Sequence, residues 1–236
     1  MGKQELWLFT MRFPFGNGEA FLENELPILA KGFQRVRLFP LLPIGEPRAL
    51  PPNVETLRLF AEREVYAPFP IWRMAMNLPR MLRVWRQAKA SAPDPATFAK
   101  HRREFLSQLR QAFNRERLLH EQMAGAYAAG RVTLYSYWSN DWATVLSIWK
   151  LRDKRLRFVS RMMGFDMFDH RAPDGWQRFQ ELHVAQADHI YAIAEAGLAH
   201  MQEHFPEQRE KFSVSFLANG DFTDLIARCG GVVVAR

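Results

Sequence analysis

Short β-rich runs alternate with segments of helical length along most of this chain, and that alternation constrains its folding more than any other feature. Apolar and β-branched runs at 6–10, 36–39, 54–57, 132–137, 156–160, 189–193 and 212–216 read as strands. Helical spacing fills 19–31, 141–150, 176–187 and 195–204, and Gly32 offers a natural stop to the first of these. Strands joined through helices this long need crossover connections, and those place parallel strands side by side with helices on both faces. The expected class is α/β. In such sheets ligands gather where the strands end, so the loops after Thr10, Tyr137, Ser160 and Ile193 are the places to seek chemistry.

One stretch departs from the alternation. Residues 69–129 are long, helical and basic, and read as an inserted helical pair. Within 71–86, Ile71, Met74, Leu78, Met81, Leu82 and Trp85 share one face. Arg73, Arg80 and Arg83 gather opposite, Arg86 lies nearer the boundary, and Pro79 is expected to kink the helix. Two readings stand open: an interfacial helix lying on a membrane, or an amphipathic helix packed on its own domain with a solvated arginine face.

Composition narrows the classes. With 236 residues, 48% of them hydrophobic, the chain is neither disordered nor fibrous, and one large domain is expected, at 1–220, with a short tail at 221–236. The single cysteine, Cys229, closes no bridge within the chain, as suits a reducing compartment. Lys and Arg exceed Asp and Glu by 32 to 25, a net +7 that favours anionic partners: phosphates, acidic membrane surfaces or nucleic acid. No uninterrupted apolar run is long enough to span a bilayer, and no secretory signal opens the chain. Met1-Gly2 is an incomplete myristoylation start, since Leu6 stands where Ser or Thr is wanted.

Two strand-end loops carry the strongest chemical signals. Phe13-Pro14-Phe15-Gly16-Asn17-Gly18-Glu19 places two glycines before a helix, where backbone amides can approach an anion. A plain loop with a helix start explains the same residues, and the third glycine of a dinucleotide fingerprint is missing. Ser160-Arg161-Met162-Met163-Gly164-Phe165-Asp166 offers a guanidinium, a glycine and a carboxylate, either to phosphate and hydroxyl groups or to each other as a loop-fixing ion pair. His200 and His204 lie four apart on a helix with Glu203 between them, and a metal site would need a third ligand. His183 and His189 lack ligand spacing, and no G-x-S-x-G elbow occurs; a Ser/His/Asp triad stays open on composition alone. No metal site is expected.

At these loops the sequence resembles the N-terminal half of GT-B glycosyltransferases of the family 4 type, above all bacterial enzymes building surface polysaccharides. Phe13 to Glu25 is similar to their opening FPxGxGExFxxxE segment, and Tyr135-Ser136-Tyr137-Trp138-Ser139-Asn140-Asp141 to the segment after their fourth strand. Ser160 to Asp166 is similar to SRMHGxD, and Ala187-Asp188-His189-Ile190-Tyr191-Ala192-Ile193-Ala194-Glu195-Ala196-Gly197 to ADxIxxISExG. The likeness covers residues 5–220.

The resemblance implies a Rossmann-like sheet forming a single half of a GT-B fold. It also implies transfer of a sugar from a nucleotide-sugar donor, which enters as substrate with no further cofactor, to a saccharide or lipid-linked acceptor. A cleft for donor phosphate and acceptor would involve Gly16, Asn17, Gly18, Glu19, Arg161, Gly164, Asp166 and Glu195. Arg73, Arg80, Arg83, Trp85 and Arg86 are the membrane-surface candidates, with a cytoplasmic location, peripheral to the inner face of the membrane. Met163 replaces the family His and cannot donate its hydrogen bond, so no catalytic residue is assigned; Ala194 replaces the usual Ser. The second half, which carries the donor-binding glutamates, is not found in this sequence. The chain is therefore expected to need a separate donor-binding half or, alternatively, to act as a non-catalytic membrane-surface or interaction module. Nucleic-acid binding ranks below both, because the basic segment lacks interleaved aromatics and a reader motif.

Overall fold

The computed structural model describes residues 4–129, 131–172, 174–217 and 223–228. Seven strands form one wholly parallel sheet: β1 (Glu5–Thr10), β2 (Arg35–Pro40), β3 (Val54–Thr56), β4 (Val132–Ser136), β5 (Phe158–Met162), β6 (His189–Ala192) and β7 (Phe212–Val214). Their order is β3-β2-β1-β4-β5-β6-β7, the Rossmann-like arrangement in which strand order reverses between β1 and β4.

β1 shows why the sheet is covered on both sides. Leu6 and Leu8 pack against α1 (Leu22–Gly32) and α9 (Thr223–Arg228) through Leu22, Leu26, Leu29, Leu225 and Ile226. Trp7 and Phe9 point the other way, into a cluster shared with Trp142, Leu146 and Trp149 of α5 (Asp141–Arg152). These four apolar side chains are fully buried. Each contributes roughly 2–3 kcal/mol of transfer free energy, which is why a strand central to such a sheet reads as continuously apolar rather than alternating.

The inserted pair is α3 (Ile71–Ser91), running through Pro79, and α4 (Pro95–Ala129). The two close a third apolar cluster with Trp176 and Leu182, the latter on α7 (Gln180–Gln186). Short α2 (Glu62–Val65) precedes them, α6 (Gly164–Met167) follows β5, and α8 (Glu195–His204) follows β6.

Several boundaries differ from the sequence reading for local reasons. α1 starts at Leu22 rather than Glu19, because Glu19 has φ 55°, outside the helical region. β5 begins two residues late because Leu156 is held in a turn: its amide donates to the Asp153 carbonyl at 3.1 Å. β5 also runs two residues further than expected, so Arg161 and Met162 are strand residues and not loop residues. α7 begins at Gln180, since Trp176 is sequestered in the insertion's core. Of the expected tail at 221–236 only 223–228 is described, and Cys229 lies outside the described residues.

Candidate functional site

The four motif segments lie at the carboxyl ends of four adjacent strands, β1, β4, β5 and β6. Their individual residues take very different roles.

After β1, Glu19 turns inward. Its carboxylate accepts the amides of Met11 at 2.9 Å, Arg12 at 2.8 Å and Phe13 at 2.8 Å, together with the Trp138 indole N–H at 2.6 Å. It holds the β1 loop to the β4 loop across the switch point. Gly16 occupies the left-handed region at φ 62°, and its amide donates to the Glu46 carbonyl at 3.2 Å. Arg48 braces the same loop by donating to the carbonyls of Gly16 and Gly18. Gly16 therefore has no amide to offer a phosphate, whereas Asn17 is exposed at the tip of the loop.

Arg161 lies nowhere near solvent. It is wholly buried in an ion pair with Glu25 of α1 at 2.8 Å and donates to Ser215 at 3.0 Å. As a strand residue it fastens the helix to the sheet. The cleft role expected of it is incompatible with that burial. Gly164 starts α6 with the Arg171 guanidinium over it; a Cβ there would meet Nη1 at 2.5 Å. Glu195 is exposed in the first turn of α8.

Asp166 is the candidate that does border an open cavity. It closes the first turn of α6 by accepting the Met163 amide, and it reaches across to the Ser139 amide at 3.0 Å. Burial pushes its carboxyl up to about 7 against the opposing pull of those amides. The cavity beside it has a volume of about 420 Å³ and lies between the β4 and β5 loops, α7 and the inserted helix α4.

Two residues the sequence did not single out as a pair, Ser139 and His183, meet in its wall. The His183 ring contacts Ser139 Oγ through Nδ1 at 3.1 Å and Thr144 Oγ1 through Nε2 at 2.8 Å. Thr144 Oγ1 also lies 3.1 Å from the Asn140 carbonyl, so the ring is held between two hydroxyls that are themselves tied to the β4 loop. Burial drives the imidazole down to about 3 and keeps it neutral. Ser139, His183 and Asp166 thus come together without forming a nucleophilic triad: the carboxylate holds a main-chain amide, not the ring, and the ring is too weak a base to take a hydroxyl proton.

The inserted pair turns several membrane candidates inward. Trp85 packs edge-on against Phe98 at 5.0 Å. Arg73 faces Glu121 at 3.4 Å, and Arg80 reaches Glu116 at 3.6 Å and the Ile148 carbonyl at 3.4 Å. Of the expected apolar face, Met81 is buried, while Leu78 and Leu82 are exposed beside Trp72 and Met76, which are 69% and 75% exposed. Arg83 and Arg86 remain at the surface.

Fold and site define an α/β protein with a Rossmann-like parallel sheet. No family model and no curated protein matches the sequence. Among solved structures, UDP-N-acetylglucosamine 2-epimerase from Rickettsia bellii is similar at 12% identity and a TM-score of 0.45, covering 95% of this chain and 51% of that one; the chain spans about half that enzyme's length. No helix among the described residues is long and apolar enough to cross a membrane.

Proposed function

We propose that this chain is the acceptor-side half of a GT-B glycosyltransferase of the family 4 type, moving a sugar from a nucleotide-sugar donor to a saccharide or lipid-linked acceptor in polysaccharide biosynthesis. One observation carries the reading: the four segments resembling family motifs, in the family's order, end four neighbouring strands around the switch point of a single sheet. Donor phosphate would meet the Asn17–Gly18 tip of the Glu19-clamped loop, and the acceptor would enter between the β4 and β5 loops. The donor nucleotide would be held by a second half that these residues do not contain. The test mixes the purified chain with donor-binding halves of family 4 enzymes, radiolabelled nucleotide sugars and polyprenyl-linked acceptors. Label should reach acceptor only when both halves are present. Transfer by the chain alone would remove the need for a partner, and none with any half would remove the reading.

A second reading, a membrane-surface module, is favoured by α3. Trp72, Met76, Leu78 and Leu82 are exposed on a helix whose last turns expose Arg83, Arg86 and Lys89. Apolar insertion beside cationic attraction suits an anionic leaflet, where lipid-linked acceptors reside. Flotation with vesicles containing phosphatidylglycerol tests it; failure to float at low salt would count against it.

A further inference from the structure

The cavity beside Asp166 has a chemistry opposite to that of the protein around it. The chain carries +7 overall, yet four carboxyl groups border the cavity, those of Glu104, Asp141, Asp166 and Asp174, against the guanidinium of Arg178 and the imidazole of His101. Arg178 is already committed: it pairs with Glu104 at 2.9 Å and with Asp174. That hydrogen bond also holds the Glu104 carboxyl below its usual range, so Glu104 is ionised at neutral pH. Asp141 is paired with Arg115 and Asp166 keeps its proton up to about pH 7, so a phosphate entering here would meet the carboxylates of Glu104 and Asp174, with Arg178 and His101 both already engaged by them.

The remaining polar groups favour hydroxyls and amines. Trp176 lines the cavity at 3% exposure, and its indole N–H has no acceptor among the described residues; Asn140 Oδ1 likewise has no donor. A buried indole N–H without a partner costs about 1–3 kcal/mol, which a ligand oxygen would recover. Ser139 Oγ pairs with His183 Nδ1 and, with two lone pairs, keeps at least one to accept from a ligand. Phe165, 50% exposed, offers an aromatic face against which the C–H face of a sugar ring can pack.

We infer that this cavity binds an uncharged or amine-bearing saccharide ring and rejects sugar phosphates, with Trp176 Nε1 and Asn140 Oδ1 as the donor and acceptor that orient it. The inference deepens the transferase reading by naming what the acceptor cavity takes, and it is tested without a donor. The chain, labelled with 15N, is titrated with glucose, galactose, mannose, glucosamine and the 1-phosphates of these sugars, following the indole cross-peak that is lost in Trp176→Phe. At least one uncharged sugar or glucosamine should shift that peak, and its 1-phosphate should bind at least tenfold more weakly. The double variant Glu104→Gln with Asp174→Asn should narrow that gap to about threefold or less, and it serves as the readout if Trp176→Phe does not fold. Equal or tighter binding of the phosphates, or no shift with any of these sugars, overturns the inference. Saccharide binding here without sugar transfer in the two-half assay would leave it standing while removing the transferase reading.

Discussion

Ser139 lies between two buried ionisable groups, its amide 3.0 Å from the Asp166 carboxylate and its hydroxyl 3.1 Å from His183. The two groups have opposite linkage to pH. Asp166 rises from 3.8 to about 7 on folding, so its stability is whole below pH 3.8 and is lost as pH climbs through 7. His183 falls from 6.5 to about 3, so its stability is whole above pH 6.5 and is lost as pH drops towards 3. Between these limits the folded state keeps its proton on Asp166 and the unfolded state keeps one on His183, so the two effects, on the order of 4–5 kcal/mol each, nearly cancel.

Removing either group should therefore expose the other. Asp166→Asn should lose stability on acidification from pH about 7 to about 4.5. His183→Gln should lose it in the opposite direction, from about 4.5 to about 7. Urea midpoints at both values check this. Parallel pH profiles for the two variants would show that the groups are not opposed.

Arg161 and Glu25 make a separate prediction. Breaking a fully buried pair strands a charge, and Arg161→Met or Glu25→Gln alone should cost about 3–5 kcal/mol. Combining them should recover a large part of that loss in a double-mutant cycle. If Arg161→Met left stability intact and affected only ligand binding, Arg161 would belong to the cleft after all.

Glu19 should matter to the fold through both its side chain and its backbone. Glu19→Ala forfeits the acceptor of three amides and an indole and should cost about 2–3 kcal/mol. Glu19→Gly loses the same acceptor but relieves φ 55°, and should be less damaging by about 1 kcal/mol. Thermal unfolding of the two variants decides the order.

The exposed face of α3 should separate stability from surface binding. Trp72→Ala with Met76→Ala should change stability by less than about 0.5 kcal/mol per site, because neither side chain is buried, while weakening vesicle flotation several-fold. An equal effect on the packed Trp85→Ala, with none on Trp72, would argue against docking by this face.

The α/β class, the strand positions and the inserted pair were legible because each rests on local periodicity. The site was legible only in outline. Glycines and charges at strand ends pointed to the correct edge of the sheet, but whether Arg161 faced solvent or Glu25 depended on a two-residue shift of β5 and on a helix 136 residues away in sequence. Ser139 and His183 carry no pattern at all; 44 residues separate them, and only the packing of α7 on the β4 loop brings them together. On α3 the apolar stripe was real, yet periodicity could not tell which of its members α4 would cover.

The reversal of strand order between β1 and β4 also has a cost in time. Gln4 and Thr133, hydrogen-bonded at the start of these strands, are 129 residues apart. Throughout synthesis the most apolar strand of the sheet must wait, one edge unpaired, until the whole helical insertion has left the ribosome, and slow closure of so distant a contact leaves it open to aggregation. Of the two edges of β1, synthesis thus allows the one in the middle of the sheet to close last.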